Sequence, residues 1–365
     1  MKKTLFDLSD RTNMFYWQTN RNISPQENKQ LFLTRRKDFS KTLVKQAIAY
    51  GMQQYGLSEK DAQVVEMSGP IQLGNINNVV KATLQNGLEV IARVHPPQVK
   101  NGYFWVEKTA AANARKKGAA SFSTYYIDDT RKRFAFDFML LECLPGTAIK
   151  HMLPLEPAII TTLMKDLGAQ CAKFHNVHPT DFGFMRNDIA KTKGELVGQY
   201  PTMRDHFYAA LDDDLRFLVS EGLFSQKQED AIRKICKNNE QLLQLQTSSL
   251  VHNDVADWNV LSDGTRITGI VDWDECCAGD PVMDFAQFSL FYDDTRMKPF
   301  IEGYRTISAL PTHFDEKLAL YRLRYLISKL HLRFKRSKVD SAPFLQTLIK
   351  HGMTVLEEVF HYYNI

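Results

Sequence analysis

Residues 250–261 read LVHNDVADWNVL, and they are the most informative part of the chain about its fold. Apolar residues at both ends flank a polar segment that contains His252, Asp254 and Asn259. Further along, an apolar β-patterned run ends in Asp272, which places a carboxylate at the tip of a strand, where it can face a ligand. The pattern therefore predicts a site built from loop and strand ends, with two acids and one amide.

These side chains suit phosphoryl transfer. That reaction needs an acid that orients the attacking hydroxyl, and oxygen ligands that hold Mg²⁺ on the phosphates. Asp254 can accept the hydroxyl proton, while Asn259 and Asp272 offer the hard oxygen atoms that Mg²⁺ prefers. The sequence thus predicts Asp254 as the catalytic residue and Asn259 and Asp272 as metal ligands.

The remaining pattern predicts an α+β fold with two lobes. An Asn-Gly turn at 86–87 joins two β-patterned runs, which is a strong hairpin signal. A helical pattern follows, and then β runs over 123–128 and 134–141. A break at Leu144-Pro145-Gly146 precedes mainly helical sequence, which includes a predicted helix over 228–245. Three divisions are predicted. Residues 1–40 are an N-terminal extension with one short helix, residues 41–143 are a small nucleotide-binding lobe with an antiparallel sheet, and residues 144–365 are a larger helical lobe for catalysis and substrate.

Three motifs in order carry a family resemblance. His252-x-Asp254-x4-Asn259, the strand ending in Asp272-Trp273, and Gly279-Asp280-Pro281 with Asp284-Phe-Ala resemble the aminoglycoside phosphotransferase and choline kinase superfamily, which has the protein-kinase-like fold. The resemblance runs from about residue 42 to 330. The sequence of residues 250–273 is similar to that of hygromycin-type aminoglycoside phosphotransferases. The superfamily resemblance implies that Asp254 is the acid-base residue and that Asn259 and Asp272 bind Mg²⁺. It also implies that His252 and Asp284 are structural support.

The resemblance also implies a nucleotide site for ATP or GTP. Arg93 stands where the aminoglycoside enzymes commonly have a phosphate-binding lysine, and Glu107 would pair with it. Arginine is permanently charged and forked, so it can hold phosphate oxygens with a different geometry. The alternative is a surface arginine and a helix-face acid.

A loop and a hinge complete the implied nucleotide site. Ser68, Gly69 and Asn77 belong to a loop segment with Pro70, Leu73, Gly74 and Asn75, which lacks a full glycine-rich motif and equally suits a plain β-turn. The resemblance further implies that adenine bonds to the backbone of Glu142 and Leu144.

The sequence says less about the acceptor than about the catalytic residues. Asp257, Asp274 and Glu275 lie close to the catalytic segment, and an acidic cleft would attract a polyamine sugar or a quaternary amine. The leading hypothesis is an aminoglycoside or a related amino-sugar. Kinases for choline, homoserine, a thioribose or a macrolide stay open, as does a nucleotide-binding pseudokinase that serves as a scaffold. A protein kinase is disfavoured, because no Ala-Pro-Glu follows the metal acid.

Composition narrows the class of protein. A net charge of +4 with scattered basic residues disfavours a nucleic-acid partner, and five cysteines without metal-ligand spacing suit a reducing compartment. Signal-peptide and membrane-spanning patterns are not found. We therefore expect a cytoplasmic monomer or homodimer that acts on a small-molecule hydroxyl.

Overall fold

The computed structural model describes residues 6–9, 24–34, 39–69 and 77–365. These residues form two compact units. The first takes the chain up to Lys108 and the segment Phe122–Leu144, and the second takes Thr109–Ser121 and Pro145–Ile365. The antiparallel sheet in the N-terminal part and the helical C-terminal part confirm the predicted fold class.

The first unit is built on an antiparallel sheet. Its strands are β1 (Phe6–Asp7), β2 (Val64–Met67), β3 (Asn78–Leu84), β4 (Glu89–Val94), β5 (Val99–Lys100), β6 (Thr124–Asp128) and β7 (Phe138–Glu142). Five of them form one sheet in the order β2-β3-β4-β7-β6. The predicted Asn-Gly turn joins β3 to β4, and Gly87 adopts the positive φ of 82° that favours glycine.

Three helices accompany the strands of this unit. They are α1 (Pro25–Thr34), α2 (Lys41–Tyr55) and α3 (Phe104–Lys116), of which α3 belongs to this unit up to Lys108. Ser40 caps α2, and its apolar face packs into a core with Val90, Ala92 and Val94 of β4. Because side chains alternate along a strand, Arg93 points to the opposite face.

The second unit combines short strands with helices. Its strands are β8 (Thr147–Ala148), β9 (Phe182–Met185), β10 (Gly198–Tyr200), β11 (Ser249–Val251), β12 (Val260–Ser262), β13 (Ile267–Ile270) and β14 (Cys277–Gly279). They form two sheets, in the orders β13-β12-β8 and β10-β9-β14-β11.

Its helices are α4 (Ile149–Met152), α5 (Pro157–His175), α6 (Asn187–Lys193), α7 (Met203–Tyr208), α8 (Leu211–Ser220), α9 (Gln226–Asn238), α10 (Val282–Phe288), α11 (Asp294–Arg305), α12 (Phe314–Ser337) and α13 (Pro343–Tyr362). Glycines let α5 and α11 approach closely, since a Cβ on Gly168 would lie 1.9 Å from the Phe300 carbonyl oxygen. Helices α8, α10, α12 and α13 enclose the main apolar core.

Two predicted elements differ from the structure. The helix predicted over 228–245 ends at Asn238, where Asn239 starts a 3₁₀ turn, as suits a residue that bonds readily to nearby backbone. The strand predicted from Phe134 begins at Phe138, because Phe134 and Phe136 are core residues of the preceding loop.

The predicted N-terminal extension is described in part. Strand β1 pairs in parallel with β5, and α1 lies within the segment where one short helix was expected. Residues 1–5, 10–23 and 35–38 of the extension lie outside the described residues. Among the helices that the structure describes, none is long and apolar enough to cross a bilayer.

Candidate active site

One loop and one hairpin of the second unit bring the predicted catalytic residues together. The loop between β11 and β12 carries His252, Asp254 and Asn259. Strand β12 pairs antiparallel with β13. The pairing extends to a backbone hydrogen bond of 2.9 Å from the Val271 nitrogen to the Asn259 carbonyl oxygen. Asp272 follows immediately, with a left-handed φ of 68° that turns the chain away from the strand. Asn259 and Asp272 therefore lie at the same end of one hairpin.

The Asp254 carboxylate is held by three side-chain donors. Its Oδ2 accepts from Asn259 Nδ2 at 2.8 Å and from Trp258 Nε1 at 3.1 Å. Its Oδ1 accepts from Gln287 Nε2 at 3.1 Å, and the Lys329 ammonium lies 3.9 Å away. Fixed on both oxygens, the carboxylate has one orientation, which a group that receives a hydroxyl proton requires.

The donor set suits a divalent metal ion. Asn259 uses its amide nitrogen for bonds to the Asp254 carboxylate and to the Asp254 carbonyl oxygen at 2.9 Å. Its Oδ1 is thus the atom that would bind a cation. Together with the partly buried carboxylate of Asp272, it supplies the amide and carboxylate oxygens typical of Mg²⁺ sites.

His252 supports the loop from within. Its buried ring donates from Nε2 to the Val271 carbonyl oxygen at 3.1 Å and accepts at Nδ1 from the Asp254 backbone nitrogen at 3.3 Å. The ring also packs on Trp273, with 4.6 Å between ring centroids. Both ring nitrogens of His252 therefore have hydrogen-bond partners, and these bonds hold the loop against β13.

Asp284, from α10, braces the same loop. Its fully buried carboxylate accepts from the backbone nitrogens of His252 at 3.0 Å and Asn253 at 2.7 Å. The His175 Nε2 lies 2.9 Å from the same group. Asn253 has a left-handed φ of 66°, so Asp284 stabilises a tight turn just before Asp254.

Asp257 already has a partner, although the sequence suggested a contact with substrate. Its buried carboxylate accepts from Arg296 Nη1 at 2.6 and 2.8 Å, and its backbone nitrogen donates to the Tyr292 hydroxyl at 2.9 Å. The ion pair joins the catalytic loop to α11. A substrate contact through this carboxylate would require the pair to open.

Asp274 and Glu275 lie in a 3₁₀ turn directly after Asp272, and both are partly buried. The Glu275 carbonyl oxygen accepts from Asn253 Nδ2 at 3.1 Å. Burial, with a smaller contribution from the charge of Glu275, raises the pKa of Tyr325 well above its usual range. These two acids therefore border the catalytic loop, and their contact with substrate stays a prediction.

In the first unit, Arg93 and Glu107 form a direct side-chain ion pair. Both are buried, with 7% and 0% of their surfaces exposed, so the pair is internal and differs from the surface alternative. Binding of nucleotide phosphates by Arg93 stays a prediction.

The implied loop and hinge are described in part. Ser68 is bonded to β3, since its hydroxyl accepts from the Lys81 nitrogen at 3.0 Å. Gly69 is exposed and Asn77 is buried, while Pro70, Leu73, Gly74 and Asn75 lie outside the described residues.

At the hinge, Glu142 ends β7 and donates its backbone nitrogen to the Ser123 oxygen at 2.9 Å. Leu144 is partly buried, and the contact of adenine with the backbone of Glu142 and Leu144 stays a prediction.

Sequence reasoning missed Gln287 and Lys329. Gln287 lies one turn after Asp284 on α10, and this helical spacing is a signal that could have found it. Lys329 lies on α12, far along the chain, and no local pattern links it to Asp254.

Known proteins with this fold include several kinases. A thermostable mutant of the aminoglycoside phosphotransferase APH(4)-Ia, solved with AMP-PNP and hygromycin B, is 16% identical with a TM-score of 0.61 and covers 82% of this chain and 96% of its own. A proposed aminoglycoside phosphotransferase from Ralstonia eutropha JMP134 is 16% identical, with a TM-score of 0.64 and coverage of 87% and 97%. A proposed fructosamine-3-kinase from Thermobifida fusca is 15% identical, with a TM-score of 0.58 and coverage of 86% and 99%. At these identities the likeness shows the fold.

The chain is also similar to a curated protein and to one family model. The uncharacterized protein YcbJ of Bacillus subtilis (strain 168) is 29% identical over 97 residues, which is 25% of this chain and 31% of that protein. The match thus spans less than a third of the length of the relative. The model of the phosphotransferase enzyme family, APH, matches residues 69–316 and includes the whole catalytic loop. The predicted resemblance is confirmed, and the chain belongs to the phosphotransferase enzyme family.

Proposed function

We propose that this chain transfers the γ-phosphate of ATP or GTP to a hydroxyl of a small molecule. The observation that carries the proposal is the hairpin end that places Asn259 and Asp272 together, with the Asp254 carboxylate hydrogen-bonded to Asn259. An oriented carboxylate beside two hard oxygen ligands is the arrangement that phosphoryl transfer needs.

In the proposed step, the acceptor hydroxyl oxygen bonds to the γ-phosphorus while its proton passes to Asp254. The bond from the γ-phosphorus to the β-phosphate oxygen breaks, and the nucleoside diphosphate leaves. Asn259, Trp258 and Gln287 keep the Asp254 carboxylate in position. Proton transfer to a positioned carboxylate contributes about 10²- to 10⁴-fold to rate.

Mg²⁺, when bound, neutralises charge on the phosphates, and Asn259 Oδ1 and the Asp272 carboxylate would hold it. Arg93, kept in place by Glu107, would bind phosphate oxygens in the first unit.

An aminoglycoside or related amino-sugar is one acceptor proposal. The fold shared with a structure that contains hygromycin B supports it, as do Asp274 and Glu275 beside the catalytic loop. The Asp257–Arg296 ion pair is an argument against an aminoglycoside, because one of the three predicted acids is already neutralised. Choline, homoserine, a thioribose or a macrolide are the alternative acceptors.

A nucleotide-binding scaffold without turnover is the alternative from another class. Asp254, Asn259 and Asp272 are all present, whereas a pseudokinase commonly lacks one of these groups. Turnover therefore separates the two functions directly.

The test is nucleotide consumption with ATP or GTP against a panel of hydroxyl compounds of different charge. Asp254→Asn should reduce the acceptor-stimulated rate by at least about a hundredfold. Asp230→Asn makes the same change on the exposed surface of α9 and should leave the rate unchanged. If no compound stimulates turnover and Mg²⁺-ATP does not bind, the kinase proposal fails. Turnover that survives Asp254→Asn would remove the role given to this residue.

A further inference from the structure

Helix α12 places a lysine at the catalytic carboxylate. The Lys329 ammonium lies 3.9 Å from Asp254 Oδ1, and its side chain is 21% exposed. Within the described part of the chain, Asp254 is the one carboxylate at ion-pair distance from Lys329. In the proposed step Asp254 binds a hydroxyl proton, so Lys329 has no second carboxylate to neutralise it at that moment.

Arg333 follows Lys329 by one helical turn and therefore shares its face of α12. Its Nη1 donates to the Leu348 carbonyl oxygen at 3.3 Å, and its guanidinium lies 5.7 Å from the centroid of the Phe291 ring. Among the described residues, no carboxylate lies at ion-pair distance from it. A partly buried cation without a counter-ion is costly, and burial lowers the pKa of Arg333 to about 10.

Aromatic residues connect this cation to the catalytic carboxylate. Phe291 meets the edge of the Trp258 ring, with 5.2 Å between centroids, and Trp258 donates from Nε1 to Asp254. Lys150 adds another cation, 5.7 Å above the Trp258 ring. Asp254 is thus bordered by a continuous surface of positive and aromatic side chains, Lys150, Trp258, Phe291, Lys329 and Arg333, which we call the cationic wall.

Apart from Asp254, no carboxylate of the described residues lies at ion-pair distance from Lys329 or Arg333. Asp257 is engaged with Arg296 at 2.6 Å. The Lys329 charge therefore lies beside Asp254, and the Arg333 charge follows one helical turn further along α12.

We propose that the acceptor carries an anionic group, a carboxylate or a phosphate, which Lys329 and Arg333 bind while Asp254 holds its hydroxyl. This inference rests on the proposed phosphotransfer and specifies its substrate class as small hydroxy acids or phosphorylated alcohols, in place of a polycationic amino-sugar. Four helical residues rise about 6 Å, so a carboxylate or phosphate of the acceptor can lie between the two side chains.

The test compares acceptors of four kinds: hydroxycarboxylates, sugar phosphates, neutral polyols and aminoglycosides. We expect one of the two anionic kinds to be phosphorylated with the highest kcat/KM, and which one responds tells carboxylate from phosphate. Lys329→Met and Arg333→Met should each raise KM for that acceptor by at least about tenfold, since each removes a charge-assisted hydrogen bond.

Matched variants keep this test independent of folding. Lys338→Gln removes a cation at the end of α12 that pairs with Glu221, and it should leave KM unchanged. Lys329→Arg keeps the charge and should hold KM within about threefold of the wild type. Thermal midpoints of all variants show whether they are folded.

Two results would overturn the inference and leave phosphotransfer intact. One is a preference for aminoglycosides or neutral polyols, with KM insensitive to Lys329→Met and Arg333→Met. The other is an equal loss of kcat for every acceptor, which would assign Lys329 to the phosphoryl group in transfer. If no acceptor of any kind is phosphorylated, the proposed function fails, and this inference fails with it.

Discussion

We predict that the buried ion pair between Asp257 and Arg296 stabilises the fold, and that its removal leaves acceptor binding unchanged. Asp257→Asn keeps the shape of the side chain and removes its charge. The Arg296 guanidinium then stays partly buried without a counter-ion, with 15% of its side chain exposed in the wild type. The guanidinium also lies 4.7 Å from the Tyr292 ring, which keeps part of its stabilisation.

The magnitude follows from this burial. Breaking a fully buried pair costs about 3–5 kcal/mol, whereas an exposed pair contributes about 0–1 kcal/mol. The exposed fractions of 15% and 7% place this pair nearer the buried limit, so we expect a loss of about 2–3 kcal/mol. The thermal midpoint should fall by roughly 3–4 °C, because the unfolding entropy is about 2.1 cal/mol/K per residue for a chain of 365 residues.

Differential scanning calorimetry measures the midpoint, and steady-state kinetics measures KM for the acceptor. The double variant Asp257→Asn/Arg296→Met removes both charges and should recover part of the loss, as a double-mutant cycle detects. A midpoint within about 1 °C of the wild type, combined with a higher KM for acceptor, would refute this reasoning. Asp257 would then be the substrate residue that the sequence suggested.

Other predictions concern pH, helix packing and the catalytic loop. Burial lowers the pKa of His206 from 6.5 to about 4, so the unfolded chain binds more protons between these values and stability falls as pH falls through that window. His206→Gln should therefore remove about 2 kcal/mol of the loss between pH 7 and pH 5, measured by urea unfolding at both. Gly168→Ala should cost roughly 3 kcal/mol in urea unfolding because α5 and α11 must separate, while Thr162→Ala on the exposed face of α5 should change stability by less than about 0.5 kcal/mol. Trp258→Phe removes one hydrogen bond to Asp254 and should lower kcat about three- to tenfold without loss of stability; an unchanged kcat contradicts the role given to this donor.

Local sequence was sufficient for the fold class and for the placement of Asn259 and Asp272 at one hairpin end, next to Asp254. The Asn-Gly turn specifies a hairpin through its backbone preferences alone, and β3 and β4 pair around it. The segment from His252 to Asn259 and the strand before Asp272 are close together in the chain, so their meeting needs only one short hairpin. Where the signal was weaker, as at the end of α9, boundaries shifted, because helix ends depend on capping contacts.

Local sequence could not predict which side chains of distant helices contact the site. Whether Asp257 faces a substrate or an arginine depends on where α11 packs, since Arg296 can reach it only from that helix. Lys329 and Arg333 form one face of α12 through helical spacing, but only the packing of α12 beside the catalytic loop brings that face to Asp254. The sequence alone thus specified the reaction, through groups held by local backbone geometry. The charge beside Asp254 was set by tertiary packing, because electrostatic interactions depend on distance in space and not on separation along the chain.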